Sequence, residues 1–329
     1  MLDFVKMKKY FLPVFIMALL VTSAAGQSWN TLNPSNSCTA RTESAMAAVD
    51  QYLILLGGRG ILPVERFSPQ ENKWIKMVEP PLEMHHFQAI GYNHEIWVLG
   101  AFTGPYPHET PIPNIYIFNP AKNEWRIGPE IPTERRRGAA GVFVYQNKIY
   151  LVCGIQDGHW DGHVGWLDEY DPKTDRWKTL PDAPHVRDHV QAVVLDNKVY
   201  IAGGRRSTAR TNHVLDLTEP TVDVFDFKTM TWTTLPEALN LPTQRAGTCS
   251  VVWDKKVLVI GGESPSQEEA HNQVEAFNPK TMRWEKFPAL QKGRHGTGLA
   301  LFKGKIYMAS GAGNRGGGPA LSSLEVLNP

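Results

Sequence analysis

The sequence predicts an all-β fold built from repeated four-stranded sheets, and three observations carry that expectation. Six tryptophans, Trp29, Trp74, Trp125, Trp177, Trp232 and Trp284, recur at steps of 45, 51, 52, 55 and 52 residues. Between them a small-residue pair closes an apolar run: Gly57-Gly58, Gly100-Ala101, Cys153-Gly154, Gly203-Gly204, Gly261-Gly262 and Ser310-Gly311. Sixteen residues before the first member of each pair stand Arg41, Met84, Arg137, Arg187, Arg245 and Arg294. A spacing held six times, with arginine in five, marks an internal repeat.

Each unit reads as four short strands. In the fourth, Val190 to Leu195 is strand A, Asp196-Asn197-Lys198 a tight turn and Val199 to Ala202 strand B. Val222 to Phe227 follows as strand C, and strand D runs through Trp232. These are β-branched and aromatic runs bounded by turn residues. Four of the tryptophans lie five residues after Pro69, Pro120, Pro172 or Pro279, and Phe227 takes that place before Trp232. The 28 Gly and 24 Pro suit many tight connections.

The pattern Arg…Gly-Gly…Asp/Asn-Pro…Trp, as in Asn197 to Gly204 and Asp171-Pro172 to Trp177, resembles the kelch-repeat β-propeller family. The resemblance covers residues 28–329, departs from the pattern in the second unit, and implies a six-bladed propeller. The sequence reaches its last Pro at Pro329 without a following Trp strand, and the missing strand stands at Ser28 to Leu32. The expectation is that this N-terminal strand completes the sixth blade beside Leu324 to Leu327 and closes the ring. The domain runs from 27 to 329, about 50 residues per blade. The tryptophans are expected to pack between blades and the glycines to allow close backbone approach.

The first 26 residues read differently. Lys6, Lys8 and Lys9 precede an apolar run from Tyr10 to Val21, and Ala24-Ala25-Gly26 offers a small-residue cleavage site. This is the pattern of a secretory signal peptide, with Gln27 as the mature N-terminus. The apolar run is short for a membrane span. The expected product is secreted or periplasmic, monomeric and free of the membrane.

Whole-chain charge is nearly balanced, with 34 Lys plus Arg against 33 Asp plus Glu. That gives no basic excess for nucleic acid, and no nucleic-acid partner is expected. Three cysteines, Cys38, Cys153 and Cys249, form no disulfide framework. Charge type, however, segregates. Ten of 11 His and twelve of 16 Arg fall in the D–A and B–C loops, whereas Lys gathers in the A–B and C–D turns. In propeller topology the first set of loops surrounds the channel mouth, and loops carry function. Arginine suits carboxylate or sulfate, and histidine titrates near neutrality.

The candidate ligand-binding residues are therefore Arg41, Arg59, His86, Arg137, His163, Arg187, Arg205, Arg206, Arg245, His271, Arg294 and His295. The expected ligand is an anionic small molecule or glycan. Five of these arginines belong to the repeat and have an alternative role in lining the channel and bonding neighbouring blades. Asp157, His159, Asp161 and His163 alternate in a Gly-bearing loop but match no known metal spacing, so neither metal nor cofactor is expected.

Exported six-bladed kelch propellers include the sialic acid mutarotases, and that partial resemblance implies a Glu base after a Gly at the end of a B strand. Glu263, in Ile260-Gly261-Gly262-Glu263-Ser264, stands there. The arginine that follows in that family is replaced by Glu268, Glu269 and His271. A uronate lyase using His189, His159 and Arg187 is a further catalytic alternative, and a protein-interaction scaffold a non-catalytic one. The copper radical oxidases also carry kelch-like repeats, but use seven blades and a Cys–Tyr cross-link.

Overall fold

The computed structural model describes residues 27–328, so the expected signal peptide lies outside the described residues. Six four-stranded antiparallel sheets follow one another around a ring. Blade 1 comprises Ser44–Val49, Tyr52–Gly57, Glu65–Ser68 and Lys73–Lys76. Blade 2 comprises Ile90–Tyr92, Glu95–Val98, Asn114–Asn119 and Glu124–Glu130. Blade 3 comprises Gly141–Tyr145, Lys148–Val152, Leu167–Asp171 and Arg176–Leu180. Blade 4 comprises Ala192–Leu195, Lys198–Ala202, Val222–Asp226 and Thr231–Thr234. Blade 5 comprises Cys249–Trp253, Lys256–Ile260, Val274–Asn278 and Arg283–Lys286. Blade 6 comprises Gly298–Phe302, Lys305–Ala309 and Leu324–Asn328, and its fourth strand is Ser28–Leu32.

That last pairing closes the ring. Ser28 faces Asn328 and Leu32 faces Leu324 in antiparallel register. Trp29 is buried there and packs with Leu258, Ile306 and Leu327. Closure completes the sixth blade, so that every blade is a four-stranded sheet with only short edge strands.

The core is divided among the blade interfaces. One apolar cluster joins blades 1 and 2 through Ile54, Leu56, Ile96 and Val98. Corresponding clusters fill the other five junctions. Strands buried on both faces explain why A, B and C read as continuous apolar runs, while the edge D strands read as mixed. The tryptophans fasten adjacent blades, as expected. Nε1 of Trp177, Trp232 and Trp284 donates to the carbonyl of Glu130, Pro181 and Leu239, respectively, in the preceding blade's outgoing segment.

The small-residue pairs end strand B in left-handed backbone. Gly261 and Gly262 have φ of 65° and 111°, and a Cβ on Gly262 would lie 2.8 Å from the Ala246 carbonyl. Both the sign of φ and the close approach favour glycine. Ser310 and Cys153 adopt the same positive φ at the first position.

Two B–C loops carry short ribbons, Phe102–Thr103 with Thr110–Pro111 in blade 2 and Ile155–Asp157 with Asp161–His163 in blade 3. They project from the same end of the ring and wall the mouth of the channel.

Candidate functional site

The residues of the repeat divide into structural and mouth-lining sets. The five repeat arginines are buried and each reaches a carboxylate on strand C of its own blade. The pairs are Arg41–Glu65 at 2.5 Å, Arg137–Asp168 at 2.7 Å, Arg187–Asp223 at 2.5 Å, Arg245–Glu275 at 2.6 Å and Arg294–Glu325 at 2.6 Å. Their other N–H groups serve carbonyls of the same blade, such as Gly57 for Arg41 and Gly261 with Val259 for Arg245. The structure thus places these five away from the mouth, bracing each blade internally. A planar fork with five donors satisfies several carbonyls and one carboxylate at once.

Two residues after each repeat position the chain turns left-handed and begins strand A. Glu43, His86, Ala139, His189, Gly247 and Gly296 have φ between 50° and 62°. Their amides link blade to blade: His86 to the Glu43 carbonyl at 3.2 Å, Ala139 to His86 at 2.9 Å, Gly247 to His189 at 2.9 Å and Gly296 to Gly247 at 3.3 Å. Ser44 N–H donates to the Gly296 carbonyl at 3.2 Å. This belt forms the throat of the channel. It enforces a costly backbone conformation on four residues that are not glycine, a kind of strain often held at functional sites.

Above the throat lies a cavity of about 650 Å³ lined by Glu43, Arg59, Glu83, His86, Tyr106, His159, Arg205, Glu263 and His295, among others. A much smaller space of about 40 Å³ passes through the belt past Glu43, His86 and His189. Of the residues singled out in the sequence, Arg59, His86, His159, Arg205, Glu263 and His295 thus converge on one cavity, with His189 just below. Arg206 is exposed outside it. His163 lies beside Asp188, 3.7 Å away. His271 is buried and bonds Ser264 and Gln273, bracing the blade 5 loop.

One wall is an acid–base row. Arg205 Nη1 lies 2.5 Å from Glu263 Oε1, and Arg205 Nε donates to Ser207. His295 Nε2 lies 3.4 Å from Glu263 Oε2, which also accepts the Gly316 N–H at 2.7 Å. Burial opposes ionisation of Glu263, but Arg205, His295 and the Gly316 amide outweigh it and hold the carboxyl at about 2. An ionised carboxylate held by these donors can accept further hydrogen bonds from a ligand in the cavity.

The facing wall is built of histidines. His159 Nδ1 lies 2.6 Å from Glu109 Oε2, and Arg59 lies 2.5 Å from the other oxygen of the same carboxylate. Burial works against the Glu109 charge, but the His159 and Arg59 contacts bring the carboxyl down to about 2. His86 contacts His85 at 2.6 Å and Glu43 at 3.3 Å. Burial and the neighbouring His189 and His85 lower His86 well below its ordinary value; burial and Arg205 lower His189.

The lyase trio does not assemble. His159 and His189 stand with ring centroids 4.9 Å apart, but Arg187 is spent on Asp223 inside blade 4. Glu43, which lines the cavity, and Glu109 and Asp188, buried behind His159 and His189, were missing from the residues singled out in the sequence. The repeat register points to Glu43, since it occupies the same position as His86 and His189. Nothing local marks Glu109, which reaches the site through the blade 2 ribbon. Among the described residues, no helix is long and apolar enough to cross a membrane.

Six four-stranded blades, the buried repeat arginines and the loop-walled channel mouth define a kelch-repeat β-propeller. The chain belongs to the Attractin/LZTR1 beta-propeller family, whose model matches residues 14–267, and a Kelch motif model matches 244–291. It is similar to Kelch-like protein terF of Aspergillus terreus, 26% identical over 82% of this chain and 61% of that protein. It is also similar to Kelch-like protein 38 of Rattus norvegicus, 21% identical over 89% of this chain and 48% of the relative. The chain thus spans about half the length of such relatives. The solved "Structure of YjhT" matches with a TM-score of 0.73 at 14% identity, covering 90% of this chain and 99% of that one; that likeness is one of fold.

Proposed function

We propose that the chain is an exported binding propeller that holds a hydroxyl-rich ligand, a carbohydrate carrying at most one carboxylate, in the cavity at the channel mouth. The Arg205–Glu263–His295 row facing a cavity of about 650 Å³ carries the reading. That volume suits a small ligand. Fixed carboxylates accept from sugar hydroxyls, while guanidinium and imidazole groups donate to them. Tyr106, 51% exposed at the rim, offers an aromatic face. The anionic character expected from the whole set of arginines narrows to Arg59 and Arg205, because five others are internal. Glu43, Glu83 and Glu263 line the same cavity and disfavour a polyanion.

Binding is favoured over Glu263-dependent mutarotation because that carboxyl is held far below neutrality. The test is calorimetry with uronic acids and their neutral parent sugars. Saturable binding of the acids, weakened about tenfold by Arg59→Gln with the neutral sugars unaffected, is the expected outcome. Failure of both sugar classes would remove the proposal. A protein-interaction scaffold is the second reading, and the kelch propeller fold supports it. Sequencing the N-terminus of the mature protein tests export, with Gln27 as the expected first residue.

A further inference from the structure

We infer that His86, His159 and His189 form a binding site for one divalent transition-metal ion where the wide cavity meets the throat. Each offers a ring nitrogen, and the three atoms lie within 4.8 Å of one another in a buried setting. The ring centroids are 5.2 Å apart for His86 and His159 and 4.9 Å for each of the other two pairs. Nitrogens at about 2.1 Å from a tetrahedral ion lie roughly 3.4 Å apart, so small side-chain rotations close the set.

A second observation points to a ligand independently. His189 is 8% exposed, and its Nε2 has no polar partner among the described residues, while its Nδ1 faces only the Asp188 carboxylate. A buried imidazole left so is costly, and an ion would engage one nitrogen. The outer contacts also suit coordination. Glu109 occupies His159 Nδ1 at 2.6 Å, which leaves Nε2 for a metal and fixes the ring, the carboxylate–histidine arrangement common behind metal ligands. Asp188 Oδ2, itself without a hydrogen-bond partner, lies 3.3 Å from His189 Nδ1. Three imidazoles favour ions such as Zn²⁺ or Cu²⁺ over Mg²⁺ or Ca²⁺. The remaining coordination position would open toward the cavity, the pattern of sites that bind an exchangeable ligand.

The sequence spacing hid this set, because the three residues come from two D–A turns and one B–C ribbon. The alternating Asp157, His159, Asp161 and His163 contribute only His159: Asp157 lies 3.1 Å from His108, and Asp161 lies 2.9 Å from Arg210. The inference needs no carbohydrate and stands or falls apart from that proposal.

The test titrates chelator-treated full-length protein with Zn²⁺ alone by calorimetry, then with Co²⁺ by visible absorption. The expected result is one ion per chain, with Co²⁺ bands of a low-coordinate nitrogen site. His159→Asn and His189→Asn each weaken binding at least tenfold, Glu109→Gln weakens it about tenfold or more, and His94→Ala on the opposite face changes nothing. If His189→Asn does not fold, His159→Asn decides, since its ribbon lies outside the blades. Absence of saturable binding by the wild type, or undiminished binding by His159→Asn, would overturn the inference.

Discussion

Met84 and Tyr116 together occupy in blade 2 the two positions that hold a buried arginine and carboxylate in each of the other five blades. Both are buried and belong to one apolar cluster. The partners are exchanged jointly, leaving neither an unpaired charge nor an empty position. An apolar pair can replace a buried ion pair at little cost, whereas removing one partner strands the other.

This sets the first prediction. Arg245→Met alone should destabilise the propeller by about 3–5 kcal/mol, because Glu275 is left buried without its partner. The double variant Arg245→Met with Glu275→Tyr should recover most of that loss. Urea unfolding of the three proteins measures it, and equal losses in the single and double variants would contradict the account.

Ring closure gives the second. Trp29 belongs to the N-terminal strand yet packs among blades 5 and 6. Trp29→Ala should cost about 3–5 kcal/mol, as for large buried side chains elsewhere. A thermal midpoint unchanged from wild type would show that the strand is dispensable.

The repeat made most of this fold legible. The six tryptophans, the 16-residue spacing and the missing last D strand were enough to place every blade and its closure. The site was legible only in part. Arg41, Arg137, Arg187, Arg245 and Arg294 looked like ligand groups because a linear sequence does not show which carboxylate waits across strand C. Glu109 was invisible for the opposite reason: its role arises where separate loops converge.

Acid titration provides a third prediction. The Glu263 carboxyl has a folded value of about 2 against an ordinary 4.5. Its contribution to stability is full above about 4.5 and is lost as pH falls toward 2, on the order of 3 kcal/mol. Glu263→Gln should therefore flatten the acid limb of the stability profile between those values. An unchanged acid limb would show that Glu263 is not ionised through its neighbours.

The thiols give a fourth. Cys38, Cys153 and Cys249 are buried and unpaired, and burial pushes each up to about 12. Thiol reagents act on the thiolate, so the native protein should resist them and the unfolded protein should titrate three groups. Rapid labelling of the native chain would contradict the packing described.

The central claim is that the channel mouth binds a small carbohydrate carrying at most one carboxylate, and a crystal structure of the protein soaked with a monomeric uronic acid tests it most directly. The account predicts the sugar in the cavity, its carboxylate facing Arg59 or Arg205 and a hydroxyl on Glu263. A sugar bound instead among the lysine-rich turns at the other end of the ring, with the mouth empty, would contradict it.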